Sequence, residues 1–190
     1  MTCGGTLISP THVLTAAHCF RHDENCTNKY VVVGMHKRDG SDGTRVEITY
    51  VNKHPNWTPY CERSNGRIGA SNVDYAILQL ASPVEFNDKV QPACLPDETF
   101  GGNFLVGKNV TVSGWGYPEP EVLHKATHPA ISNEDCKKYN HRVNMDECIK
   151  NHTLCAGDQH VHSYRGDSGG ELFIKGKINR NISKIDFFSA

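Results

Sequence analysis

Short apolar runs separated by frequent turn signals, with little helical periodicity, predict an all-β protein, either a sandwich or a pair of barrels. The strand pattern carries this expectation. Strand-length runs recur along the chain, and one of them, residues 45–51, alternates apolar side chains at Val46, Ile48 and Tyr50. Cysteine usage adds the compartment. Eight cysteines without a CxxC pair read as a disulfide framework in an oxidising compartment rather than a zinc site.

The strands follow in order. Thr6-Leu7-Ile8 and Val13-Leu14-Thr15 flank the turn signal Ser9-Pro10-Thr11, which predicts a hairpin-like pair leading into Ala16-Ala17-His18-Cys19. Tyr30-Val31-Val32-Val33 and residues 45–51 form two more. Residues 52–72 are polar, hold Pro55, Pro59, Gly66 and Gly69, and predict a long surface loop. Asp74 then opens an apolar strand through Leu80. Residues 96–104 predict a linker between halves. Asn109-Val110-Thr111-Val112-Ser113 is a strand ending in the turn Gly114-Trp115-Gly116. A short helix is predicted over residues 133–139 with Ser132 as its cap. Phe173, Ile174 and Ile178 suggest a hairpin through Lys175-Gly176-Lys177, and residues 185–188 a last strand.

Composition narrows the partners. The 190 residues make one large domain or two small ones, with 37% hydrophobic content. Twenty basic and twenty-one acidic residues give a net charge of -1 with no basic cluster, which argues against nucleic acid and anionic membrane. No apolar run approaches the ~18 residues of a membrane span. The first residues show neither a basic nor an apolar leader region, so no signal peptide is visible. The cysteines and five sequons, at Asn25, Asn56, Asn109, Asn151 and Asn181, nevertheless point to a secreted, glycosylated protein whose signal lies outside this chain.

The chemistry centres on Arg165-Gly166-Asp167-Ser168-Gly169-Gly170. Glycines beside a serine let a substrate backbone approach closely, because they add no Cβ and accept unusual φ values. The amides of Gly166 and Ser168 can converge on one oxygen as an oxyanion hole. A serine hydroxyl is a poor nucleophile until a neutral imidazole takes its proton. That imidazole needs a carboxylate on its other nitrogen. His18, Asp74 and Ser168 supply the three groups in the order His, Asp, Ser.

On these residues the chain resembles the trypsin/chymotrypsin family of serine proteases. The motifs that carry the likeness are Cys3-Gly4-Gly5-Thr6-Leu7-Ile8, Leu14-Thr15-Ala16-Ala17-His18-Cys19, Asp74-Tyr75-Ala76-Ile77-Leu78, Gly114-Trp115-Gly116 and Gly166-Asp167-Ser168-Gly169-Gly170. The resemblance implies a single peptidase domain over residues 1–190: a first antiparallel barrel over 1–95, a linker over 96–104 and a second barrel over 105–190. It implies His18 as general base then acid, Asp74 as orienter, Ser168 as nucleophile and the Gly166 and Ser168 amides as oxyanion hole. It further implies bridges Cys3–Cys19 and Cys136–Cys155. Cys26, Cys61, Cys94 and Cys148 remain, with Cys26–Cys61 a guess from their long segments. Protein or peptide substrates, protease inhibitors as partners, a monomer, and no metal or other cofactor complete the expectation.

Departures from the family pattern set further expectations. The segment that would free an apolar α-amino group to pair with Asp167 is missing ahead of Cys3, and the last strands and helix are missing after Ala190. The second barrel is therefore expected to be incomplete, and this exact polypeptide poorly folded or inactive. Val110 and Ile174 stand at two family cysteine positions and can pack where a bridge was. His162 falls at the floor of the primary specificity pocket, where a histidine offers Lys or Arg side chains no attraction. The alternative to an endopeptidase is a non-catalytic homologue acting as a binding or regulatory module, or an inactive gene fragment.

Overall fold

The computed structural model describes residues 3–20, 26, 28–59, 61–63, 66–68, 73–95, 105–140, 146–150, 153–157 and 165–174. It is mostly β, with two curled antiparallel half-barrel sheets and, among the described residues, one α-helix. The predicted linker 96–104 and the strand at 185–188 lie outside the described residues, as do residues 175–178.

The first half begins as expected with a hairpin, β1 (Thr6–Ser9) and β2 (His12–Thr15). Strands β3 (Tyr30–Val33) and β4 (Thr44–Lys53) follow, and β7 (Ala76–Leu80) inserts between β2 and β4 to give the order β1-β2-β7-β4-β3. Alternation decides which faces are inside. Ala76, Leu78 and Leu80 of β7 are buried, while Ile77 and Gln79 point outward. Val13, Val46, Ile48, Leu78, Leu80 and Val84 form the core of this half.

In β4 the predicted alternation breaks after Ile48. Val46 and Ile48 are buried, but Tyr50 is 59% exposed, because the register with β7 shifts between Ile48 and Tyr50. An irregularity of this kind changes the face on which the later residues fall.

Residues 52–72 are not all loop. β5 (Cys61–Arg63) and β6 (Gly66–Ile68) pair there as a separate two-stranded sheet. Three-residue strands are marginal alone in water. Here Cys61 is buried and bridged to Cys148, next to a 3-10 turn at Asp146–Cys148 in the second half. That bridge corrects the expected Cys26–Cys61 pairing. Cys26 instead packs half-buried against the first core.

The second half holds β8 (Asn109–Gly114), β9 (His124–Ile131), β10 (Cys155–Ala156) and β11 (Leu172–Phe173), ordered β10-β9-β8-β11. Its core contains Leu105, Val110, Ala130, Leu154 and Leu172, with Ile174 packed against it. Val110 and Ile174 therefore share one apolar cluster. Helix α1 (Asn133–Asn140) starts where expected: Ser132 Oγ accepts from the Asp135 amide at 3.1 Å and donates to the Asp135 carboxylate at 2.8 Å. Cys136 of α1 is bridged to Cys155 of β10.

The halves meet along a seam. The amide of Arg38 donates to Glu121 O and that of Leu123 to His36 O, both at 2.8 Å, with Lys37 bridging antiparallel to Val122. Trp115 Nε1 donates to His36 O at 3.1 Å across the same line. The Cys61–Cys148 bridge ties the halves at a second place, through the segment that leads to Asp74.

Candidate active site

Strand register places His18 beside Asp74. β2 and β7 run antiparallel with Thr15 opposite Ala76, so two more steps along each chain bring Ala17 and His18 against Asp74. β2 ends there in a 3-10 turn, Ala17–Phe20, anchored by the fully buried Ala17. Asp74 then holds His18 twice. Its Oδ1 accepts from the His18 amide at 2.8 Å, and its Oδ2 lies 2.5 Å from Nδ1. A carboxylate only accepts, so Nδ1 carries the proton, and in the neutral ring the lone pair is on Nε2. With side chains 28% and 21% exposed, the pair is half-sheltered.

The second half brings Ser168 to the same place. The Ser168 carbonyl accepts from the Gly4 amide at 2.8 Å, and the Thr15 hydroxyl donates to Gly4 O at 2.8 Å. The Cys19 sulfur lies 4.0 Å from both His18 Nε2 and Ser168 O. Glycine is required at Gly169, where φ is +81° and a Cβ would run into Thr15 Oγ1 and Gly4 O. Among the described residues, the Ser168 hydroxyl makes no hydrogen bond to His18. Such contacts are often long before a substrate binds. The amides of Gly166 and Ser168 are likewise engaged by no described residue.

Asp167 explains a motif whose purpose the sequence left open. Its Oδ1 accepts from the Gly116 amide at 2.7 Å. A Cβ on Gly114 or on Gly116 would fall onto its carboxylate. The Gly114-Trp115-Gly116 turn is therefore shaped as a slot for this side chain. Tyr117 N donates to Arg165 O at 3.0 Å and fixes the other side of the loop.

One neighbour was missed. Glu171 follows the glycine pair, and its Oε1 accepts from the Ser113 hydroxyl at 3.1 Å. Burial pushes its carboxyl up from the ordinary value, and the Ser113 hydrogen bond offsets part of that. Only its place after Gly170 could have flagged it. His162, the expected pocket floor, lies outside the described residues, as do Asn25, Asn151 and Asn181. Asn56 and Asn109 are both exposed. The structure forms the Cys3–Cys19 and Cys136–Cys155 bridges.

The family model described as Trypsin matches residues 1–183. Venom serine protease 34 of Apis mellifera is 32% identical over 198 aligned residues, covering 100% of this chain and 46% of that protein. Transmembrane protease serine 9 of Rattus norvegicus is 33% identical over 181, covering 90% of this chain and 16% of that protein. The chain thus spans less than half the length of these curated relatives. Among solved structures, the scabies mite inactivated protease paralogue S-D1 superposes with a TM-score of 0.75 at 19% identity. It covers 94% of this chain and 72% of that one, a likeness of fold. No helix among the described residues is long and apolar enough to cross a membrane. A family match reaching from residue 1 to residue 183, over motifs whose His18, Asp74 and Ser168 the fold brings together, means that the chain belongs to the trypsin family of serine proteases.

Proposed function

We propose that the chain is a secreted serine endopeptidase that hydrolyses peptide bonds through an acyl-enzyme. The observation that supports it best is the double hold of Asp74 on His18, which leaves Nε2 basic beside the Ser168 loop. In this reading Nε2 takes the Ser168 proton as Oγ attacks the carbonyl carbon, and returns it to the leaving amine. Asp74 keeps the ring in one tautomer and stabilises the imidazolium. The Gly166 and Ser168 amides receive the charge that forms on the carbonyl oxygen. Water then attacks the acyl group with Nε2 again as base.

Residues 1–190 serve as one domain split at 96–104, and His162 forms the specificity-pocket floor. Substrates are proteins or peptides, and protease inhibitors bind the same site. The bridges favour secretion, and exposed Asn56 and Asn109 suit glycan attachment.

A second reading, a non-catalytic homologue, is favoured by the lack of a bond between the Ser168 hydroxyl and His18 among the described residues. The scabies mite protein, an inactivated paralogue, shares the fold, so fold alone does not secure catalysis. The test is labelling by a fluorophosphonate probe, which reacts with an activated serine. It is run on the 190-residue chain, on a form extended at both ends, and on Ser168→Ala and Asp74→Asn variants of each. Labelling that Ser168→Ala abolishes and Asp74→Asn slows by about 10⁴-fold supports the protease. Silence from both lengths sinks it and leaves the non-catalytic reading.

A further inference from the structure

One ligand atom from each of Cys3, His18 and Cys19 lies within 4.8 Å of the other two, a grouping the acyl-transfer reading does not need. While the two cysteines are bridged, their sulfurs hold no metal ion. We propose that reduction of Cys3–Cys19 opens a Cys₂His site for a soft divalent cation, zinc or cadmium, and that the cation takes Nε2 of His18.

Three features carry this. The first is access. Cys3 and Cys19 are half-exposed, whereas Cys61, Cys148, Cys136 and Cys155 are all buried. Thiol–disulfide exchange needs a path to sulfur, so a reductant meets this bridge first. The second is the ring. Nδ1 is committed to Asp74, so Nε2 is the nitrogen left for a cation, with a carboxylate on the other side of the ring. That carboxylate–imidazole pairing is the arrangement that orients histidine toward metals. The third is spacing. Nε2 is 4.0 Å from the Cys19 sulfur, and the two Cα atoms are 6.4 Å apart. On tetrahedral zinc two thiolate sulfurs stand about 3.8 Å apart and a sulfur and nitrogen about 3.6 Å. Once the bond is reduced, side-chain rotation at Cys3 and Cys19 is what opens the sulfurs to that spacing.

The chemistry balances. A dithiol gives up two electrons and two protons and closes its own disulfide, while Cys3 and Cys19 take them and become thiols. The cation then displaces both thiol protons, bonds two thiolates and Nε2, and keeps a water in its fourth position. Its inhibitory consequence rests on the proposed function: a metal-bound Nε2 cannot accept the Ser168 proton.

The experiment uses a Cys26→Ala/Cys94→Ala background, which removes thiols outside the three bridges. The chain is reduced mildly, freed of reductant without air, and titrated with cadmium chloride, reading the thiolate-to-cadmium charge-transfer band. Alkylation and mass analysis count the opened bridges. One equivalent should bind the reduced chain at least about 100-fold more tightly than the oxidised one. Zinc chloride should compete, His18→Ala should abolish the tight phase, and Asp74→Asn should weaken it about 10–100-fold. Equal binding to both redox forms, indifference to His18→Ala, or prior opening of another bridge overturns the proposal. So does a reduced chain that unfolds and is not refolded by zinc, with a bridge-less Cys3→Ser/Cys19→Ser variant reporting folding in the absence of ligand thiols. The band does not depend on turnover. If cadmium binds but no fluorophosphonate labelling exists to be blocked, the protease reading fails and the metal site stands.

Discussion

Removing the bridge between the halves, as Cys61→Ala/Cys148→Ala, tests the fold where sequence reasoning went wrong. The bridge closes a loop with a sequence separation of 87. In the chain-entropy description, releasing a loop of that size costs about 4.6 kcal/mol, most of it through a freer unfolded state. For a chain of this length that corresponds to a fall in Tm of about 9–18 °C. Thermal unfolding by circular dichroism reads the fall. Urea unfolding should show a steeper m as well, because an untied unfolded chain exposes more surface. Both cysteines are buried, so alanine also leaves a small cavity and the loss should not undershoot the estimate. The discriminating control is Cys26→Ala, which removes a half-buried thiol from the edge of the first core. Should Cys26→Ala and Cys61→Ala match in effect while Cys148→Ala leaves Tm unchanged, the inter-half bridge is wrong.

Two more perturbations probe the Ser168 loop. Gly116→Ala puts a methyl group where the Asp167 carboxylate sits and disturbs the 2.7 Å bond to it. We expect a loss of about 1–3 kcal/mol in urea unfolding, and a change within 0.5 kcal/mol would refute the slot. Glu171→Gln tests the buried carboxyl. Its pKa is raised from 4.5, so the neutral form is the stabilising one, and its contribution is present below about pH 4.5 and lost as pH rises through the folded value. Glutamine, permanently neutral and still able to accept from Ser113, should raise stability relative to the parent at pH 7. The difference should vanish by about pH 4; a variant weaker than the parent at pH 7 would contradict the burial.

What the sequence revealed depended on how local each signal was. The β1–β2 hairpin was legible from Pro10-Thr11 between apolar pairs, and the α1 start from Ser132, because turns and caps are set by neighbours. β9 was missed because its buried residues are His128 and Ala130, which do not look like an apolar face, and it contains Pro129. The β5–β6 hairpin was hidden by polar residues, and the bridge from its Cys61 to distant Cys148 could not be read locally. Disulfide connectivity is a property of three-dimensional proximity, so Cys61–Cys148 could not be read from spacing. At the site, Asp74 stood out because it precedes an apolar strand. The slot formed by Gly114 and Gly116 required knowing where the Asp167 side chain goes.

The seam hydrogen bond of Trp115 makes the protein its own gauge of how firmly its halves are docked. The chain has two tryptophans, and Trp57 lies in the first half beside Lys53. The Trp115 indole belongs to the second half but spends its N–H on His36 of the first. If the halves part while each sheet stays intact, that N–H turns to water and the emission moves to the red. Far-ultraviolet dichroism would hardly change. In a Trp57→Phe background the remaining fluorescence follows docking alone, separating loss of docking from loss of the fold.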